Sequence, residues 1–173
     1  MEIRKTKKTD LCAIDEIIND ARAYFRESGI PQWQGEYPSA ADFTADIEGG
    51  RSYVAEEDGR VIGVLCLDFR PDPNYTEIFE GSFRSDEKYA AVHRIAVAKS
   101  EKGKGTAPKM IKEMTEIARE RGVVWLRADT HRKNLSMQRM LAKCGFVHCG
   151  TIYLEGVHDA EHERFAFDLN TEK

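Results

Sequence analysis

The chain has 173 residues, 41% of them hydrophobic and 32% charged, the composition of a soluble protein long enough to bury a substantial core. A formal net charge of −4 argues against a general nucleic-acid binder and leaves any basic character local. No run of about 18 apolar residues exists to span a membrane, and the N-terminal MEIRKTKKTD has no apolar segment behind its charges, so the expectation is a cytoplasmic protein.

Residues 2–6 read as a short strand, and Thr9-Asp10 then offers a helix start. Leu11, Ile14, Ile17, Ile18, Ala21 and Phe25 share one face of that helix, which Ser28-Gly29 ends and Pro31 cannot continue. Residues 32–38, QWQGEYP, form an aromatic-bearing loop before a second helix at 40–48, stopped by Gly49-Gly50. Residues 52–56 and 61–69 form a hairpin around Glu57-Asp58-Gly59-Arg60. Residues 70–87 have no clear period, and a connection of that length inside a compact domain is often functional or mobile.

A strand at 88–98 then leads into the lysine-glycine loop, and a helix at 107–121 turns Met110, Ile111, Met114, Ile117 and Ala118 inward. Residues 123–128 are an apolar strand of the kind buried on both faces. Residues 134–144 form another helix with a Met137, Met140, Leu141 and Cys144 stripe, closed by Gly145. Residues 146–154 and 163–169 make a closing hairpin. The order β-α-α-β-β-β-α-β-α-β-β predicts one α/β domain over 1–173, with a mixed twisted sheet of about seven strands flanked by helices.

The loop Lys102-Gly103-Lys104-Gly105-Thr106-Ala107 sits where a strand hands over to a helix. Small residues there let backbone N–H groups approach a ligand, and the helix start adds unpaired donors and the positive end of its dipole. That combination suits phosphate. The spacing G-x-x-x-x-G-K-[ST] is absent, so the loop is not a Walker-type nucleotide site.

Downstream stand Asp129-Thr130-His131-Arg132-Lys133-Asn134, then Met137-Gln138, then Lys143-Cys144-Gly145-Phe146. With the lysine-glycine loop in that order and strand context, the chain resembles the GNAT superfamily of N-acetyltransferases over residues 3–169. The family's loop pattern is Arg or Gln, two residues, Gly, one residue, then Gly or Ala; here lysine takes the Arg/Gln position. The resemblance implies a fourth and fifth strand that splay apart around the pantetheine of acetyl-CoA. Ile95, Ala96 and Val97 would bond it through their backbone, one N–H polarising the thioester carbonyl. Amides of the Gly103–Ala107 stretch (Gly103, Lys104, Gly105, Thr106 and Ala107) would cradle the pyrophosphate, with charge from Lys102 and Lys104. Asn134 would hydrogen-bond the pantetheine arm, with Met137 in the same cofactor-binding region.

Two residues depart from the family. Pro108, in the first helical turn, removes one potential phosphate donor. Leu141 stands where many members carry a tyrosine that protonates the departing thiolate, which leaves Tyr153 or water for that task.

The acceptor amine must lose a proton, and His93, just before the cofactor segment, is the candidate base; a purely structural strand histidine is the other reading. No acid lies between Tyr89 and Ala98. Trp33 and Tyr37 border the expected acceptor pocket, where cation–π contact with an amine competes with simple core cover. Tyr89, with Tyr75, Phe79 and Phe83, forms either a lid over the acceptor or a packed cluster, and His131 either lines the cleft or lies on the surface.

Cys12, Cys66, Cys144 and Cys149 read as reduced and mostly buried, without metal or disulfide spacing. His158 and His162 fall in a hairpin turn rather than on one helical face, so no metal site is expected. The implied activity is acetyl transfer from acetyl-CoA to a primary amine of a small molecule or peptide, without metal, nucleic acid or membrane, in a possible homodimer. The alternative is an acyl-CoA-binding sensor or inactive homologue.

Overall fold

The computed structural model describes residues 1–155 and 161–172; the expectation about His158 lies outside them. In chain order the elements are β1 (Glu2–Lys5), α1 (Leu11–Glu27), α2 (Ala40–Glu48), β2 (Ser52–Glu57), β3 (Arg60–Asp68), β4 (Tyr89–Val97), α3 (Thr106–Glu120), β5 (Trp125–Thr130), α4 (Leu135–Lys143), β6 (Val147–Tyr153) and β7 (Glu163–Asn170). The strands form one open sheet in the order β1-β2-β3-β4-β5-β7-β6. All neighbours are antiparallel except β4 and β5, which α3 connects as a parallel pair. This is the mixed α/β arrangement the element order predicts.

Local chemistry explains the boundaries. Ser39 caps α2 by accepting from the Asp42 N–H, while the Asp42 carboxylate accepts from the Ser39 N–H at 2.6 Å, a reciprocal capping box. β5 begins at Trp125 rather than 123 because the Val123 N–H still bonds the Ala118 carbonyl at the end of α3. Asn134 is a cap rather than a helical residue: its side chain accepts from the Met137 N–H and starts α4.

Side chains alternate along the strands and divide the core between two faces. Ile14, Ile17, Ile18 and Phe25 of α1 pack with Val54 and Val64 on one face. Met110, Ile111 and Met114 of α3 and Leu141 of α4 pack with Tyr53, Leu65 and Leu126 on the other. A Cβ on Gly63 would lie 2.8 Å from the Met110 sulfur, so the missing side chain lets α3 sit close to β3.

The β4–β5 ladder is short. It runs from Tyr89↔Trp125 to Val92↔Ala128 and then stops. β5 continues with β7 through Asp129↔Ala166, while β4 continues with β3 through Ala96↔Val64 and Val97↔Gly63. One extra β4 residue bulges between His93 and Ala96, with Arg94 at φ 52. The Arg94 guanidinium meets the Asp46 carboxylate of α2 at 2.6 Å and the Tyr37 hydroxyl at 2.8 Å, which holds the bulge in place.

At the far side of the sheet, the 70–88 connection reaches β6. Phe79 and Thr151 exchange both backbone hydrogen bonds at 2.8 Å. A Cβ on Gly81 would lie 1.9 Å from the Cys149 carbonyl oxygen, so the approach requires glycine.

Leu141 is wholly buried in the core beneath α4. Leu141→Ala is expected to lower stability by about 2–5 kcal/mol, the range for a deep leucine truncation. Urea unfolding followed by circular dichroism measures it.

Candidate active site

Two cavities open on either side of the parting strands. The first, of about 480 Å³, is the more polar of the two and is lined by Trp33, Tyr37, Asp68, Asp72, His93, Arg94 and Asp129, among others. The second, of about 380 Å³, runs along Ile95, Ala96 and Val97 to Gly103, Gly105 and the start of α3. Phe25, Trp33, Ile95, Asn134 and Met137 line both. They form a shared wall between two halves of one cleft.

In the polar half, His93 Nε2 lies 3.2 Å from Asp72 Oδ2. A carboxylate only accepts, so Nε2 is the donor in this pair. Burial opposes ionisation of Asp72, but the bonds from His93 and from the Asn74 backbone and side chain outweigh it and hold the carboxyl below its usual range. Asp72 is placed by its turn into Pro73 and by the Tyr89 hydroxyl, which accepts from the Asp72 N–H at 2.9 Å. Across the opening, Asp129 Oδ1 accepts from the Tyr75 hydroxyl at 2.7 Å. Burial first, and then the Asp129 charge, keep the Tyr75 phenol well above its ordinary value. Burial likewise pushes Tyr37 up to about 12, against the pull of Arg94.

In the second half, β4 presents backbone that β5 has left. The N–H groups of Gly103, Gly105, Thr106 and Ala107 have no carbonyl partner among the described residues. Gly103 and Gly105 take φ of 80 and 85, which only glycine adopts easily, and Gly105 is the N-cap of α3. Adjacent amides therefore converge at a helix N-terminus, an arrangement that fits a diphosphate. Pro108 lines this half without an N–H to give.

Most of the expected residues come together here. Trp33, Tyr37 and His93 line the polar half, and Ile95, Ala96, Val97, Lys102, Gly103, Gly105, Thr106, Ala107, Asn134 and Met137 line the second. Lys102 also lays its ammonium 3.3 Å over the Tyr24 ring, and burial lowers its pKa.

Four residues are placed differently. Lys104 lies outside the cavity wall, with its ammonium 3.3 Å from Glu101. Tyr153 is half exposed on β6 and packs edge-on against Phe79, away from the cleft. Tyr89 lies beneath the Arg127 guanidinium, outside the cavity wall, and its hydroxyl accepts from the Asp72 N–H. His131 is neither on the surface nor in the cleft: it is fully buried, accepts from the Lys133 N–H through Nδ1, and meets Glu161 through Nε2 at 2.7 Å. Tyr75, Phe83 and Tyr89 form a packed aromatic cluster instead of a lid.

Residues that sequence reasoning missed complete the picture. Asp72 and Gln32 come from segments without period, whereas Arg139 and Lys143 are one helical turn apart on α4 and line the second half. All four cysteines are unpaired; Cys12 is exposed, and burial raises Cys66 to about 12 and Cys149 to about 11, which makes both poor nucleophiles. Among the described residues no group of His, Cys, Asp and Glu side chains is placed to hold a metal ion, and no helix is long and apolar enough to cross a membrane.

Comparison with known proteins agrees with this geometry. Residues 14–146 match the model of the acetyltransferase (GNAT) family. A GNAT-family acetyltransferase structure from Streptococcus agalactiae is 31% identical, with a TM-score of 0.90 over 99% of this chain and 96% of that one. One from Listeria monocytogenes is 22% identical, with a TM-score of 0.73 over 98% and 94%. A Salmonella typhimurium structure containing its cofactor acetyl-CoA shares the fold at 21% identity and a TM-score of 0.67, over 100% and 95%. No curated protein matches significantly. With its family model, its fold and its cleft in agreement, this chain belongs to the GNAT family of acetyltransferases, which use acetyl-CoA as acetyl donor.

Proposed function

We propose that the chain is an N-acetyltransferase acting on a primary amine of a small molecule or peptide, by direct attack within a ternary complex. The observation that carries this reading is the shared wall, with the His93–Asp72 pair on one side and, on the other, amides that have no carbonyl partner among the described residues. Acetyl-CoA supplies an activated acetyl thioester. In this reading Gly103, Gly105, Thr106 and Ala107 bind its diphosphate through N–H groups, with Lys102, Arg139 and Lys143 adding charge from the same half. The backbone of Ile95–Val97 orients the pantetheine, and one N–H there polarises the thioester carbonyl.

The amine enters the polar half, where Asp129 and Asp72 favour a cation while Trp33 and Tyr37 offer aromatic faces. Neutralisation follows at His93. Nδ1 takes the ammonium proton, and Asp72 stabilises the imidazolium through Nε2. The neutral nitrogen then forms the N–C bond as the C–S bond breaks, and the second proton that it sheds on becoming an amide passes to water, which in turn protonates the thiolate. Leu141 is buried and apolar and Tyr153 lies outside the cleft, so the thiolate takes its proton from water. A thiol leaving group ionises near pH 8.5 in general, so it needs little help. The free cysteines suit a reducing cytoplasm, and we take the chain as one domain.

Release of free CoA across a panel of amines tests the proposal. Turnover with primary amines is expected; tight acetyl-CoA binding without turnover on any amine would favour the sensor instead. His93→Ala should lower kcat by about 10²–10⁴-fold and remove the acid-side fall from the pH–rate profile, where a required base is lost to protonation. Asp72→Asn should act in the same direction by a smaller factor; an unaltered profile in both variants removes the pair from the mechanism. Gly105→Glu places a charged, β-carbon-bearing residue at φ 85 beside the amide cluster. Acetyl-CoA affinity, read by calorimetry, should fall by about tenfold or more, at least roughly 1.4 kcal/mol.

A further inference from the structure

The loop between α1 and α2 crosses the cleft, and one side chain fastens it to the far bank. Gln32 Oε1 accepts from Thr130 Oγ1 at 3.3 Å, from the His131 N–H at 3.2 Å and from Asn134 Nδ2 at 3.3 Å. All four residues are buried. Three donors from the β5–α4 corner thus converge on one oxygen, and at that depth an unmade hydrogen bond is costly.

The bonds do more than close a gap. Asn134 has its amide orientation set from both ends, since Oδ1 accepts from the Met137 N–H at 3.2 Å while Nδ2 reaches Gln32. Trp33 follows directly, at φ 60, a left-handed conformation that a bulky residue keeps only when its surroundings enforce it. On its other side Gln34 Nε2 donates to the Arg22 carbonyl of α1 at 3.2 Å. Trp33 is held between these two anchors, its ring 5.4 Å from Phe25, and it lines both halves of the cleft.

We infer that Gln32 is a positioning residue for acetyl transfer: its three hydrogen bonds hold Trp33 and Asn134 as the partition that directs the acetyl group to the amine rather than to water. The inference rests on the acetyltransferase reading and adds to it a residue that touches neither reacting atom. With the clamp made, the amine is aligned and the junction excludes water. With the clamp broken, acceptor binding weakens and hydrolysis of the thioester gains on transfer, whereas the amide cluster at α3 is untouched.

Two variants of similar size separate the possibilities. Gln32→Leu strands all three donors, whereas Gln32→Glu keeps an acceptor oxygen at the same reach. For Gln32→Leu the acceptor KM should rise about tenfold and the ratio of acetyl-CoA hydrolysis to transfer should rise similarly. Its acetyl-CoA Kd should move by less than about threefold. Gln32→Glu should stay within about threefold of the parent in all three. If Gln32→Leu does not fold, Thr130→Val removes one donor and should shift KM and the ratio in the same direction by less. A folded Gln32→Leu with parental KM and parental ratio overturns the inference, as does Gln32→Glu failing alongside it. Hydrogen exchange of the His131 amide, without any ligand, should quicken in Gln32→Leu and not in Gln32→Glu; equal exchange in all three proteins also overturns it. Absence of CoA release with every amine in the parent would defeat the acetyltransferase reading, and the exchange measurement still judges the clamp.

Discussion

Everything in the cleft depends on where two parallel strands stop pairing. β4 and β5 hold together as far as Val92 and Ala128, then each follows its outer neighbour. Backbone groups need partners, and a strand edge inside a molecule without them is costly unless solvent or a ligand supplies the bonds. The opening therefore creates both the space and the chemistry for an extended amide-bearing molecule. The Arg94 bulge and its Asp46 partner belong to the same device, because they secure one side of the opening to α2.

The two halves of the cleft use different physics. The half at the start of α3 offers fixed dipoles, with glycine conformations and a helix start presenting N–H groups that keep their partial charge at every pH. The polar half instead gathers titratable groups whose neighbours shift them. Asp72 is favoured in its ionised form by His93 and Asn74 despite its burial, and its oxygen faces Nε2 of the histidine at 3.2 Å. Chemistry that elsewhere in the family uses a tyrosine has no counterpart on α4, where Leu141 contributes only packing.

Much of this was legible in the chain because it is local. The start of α2 follows from Ser39 and Asp42, three positions apart, and the glycines at 103 and 105 suit a backbone that turns left-handed. Asn134 was visible as a helix start for the same reason. What was hidden is long-range. Asp72 sits in an aperiodic stretch and reaches His93 only because the 70–88 connection folds back over the sheet, and Gln32 finds its donors about a hundred positions away. Lys104, Tyr153, Tyr89 and His131 lie outside the walls of the two cavities, since a charge or a ring in a given stretch of sequence still has two sides to point to. The nearest partner decided each case: Glu101, Phe79, Arg127 and Glu161.

The short exchange between Phe79 and Thr151 has a meaning beyond local order. β6 is the last strand of the sheet, and an open border of that kind recruits strands from other molecules. Here the chain lays its own segment along the middle of that border, and Gly81 allows the approach without a side chain in the way. The same connection that delivers Asp72 to the cleft thus shields the sheet from growing by strand addition at β6. The cover of that border and the placement of Asp72 draw on one stretch of sequence, so a change that loosens it would expose β6 and displace Asp72 together.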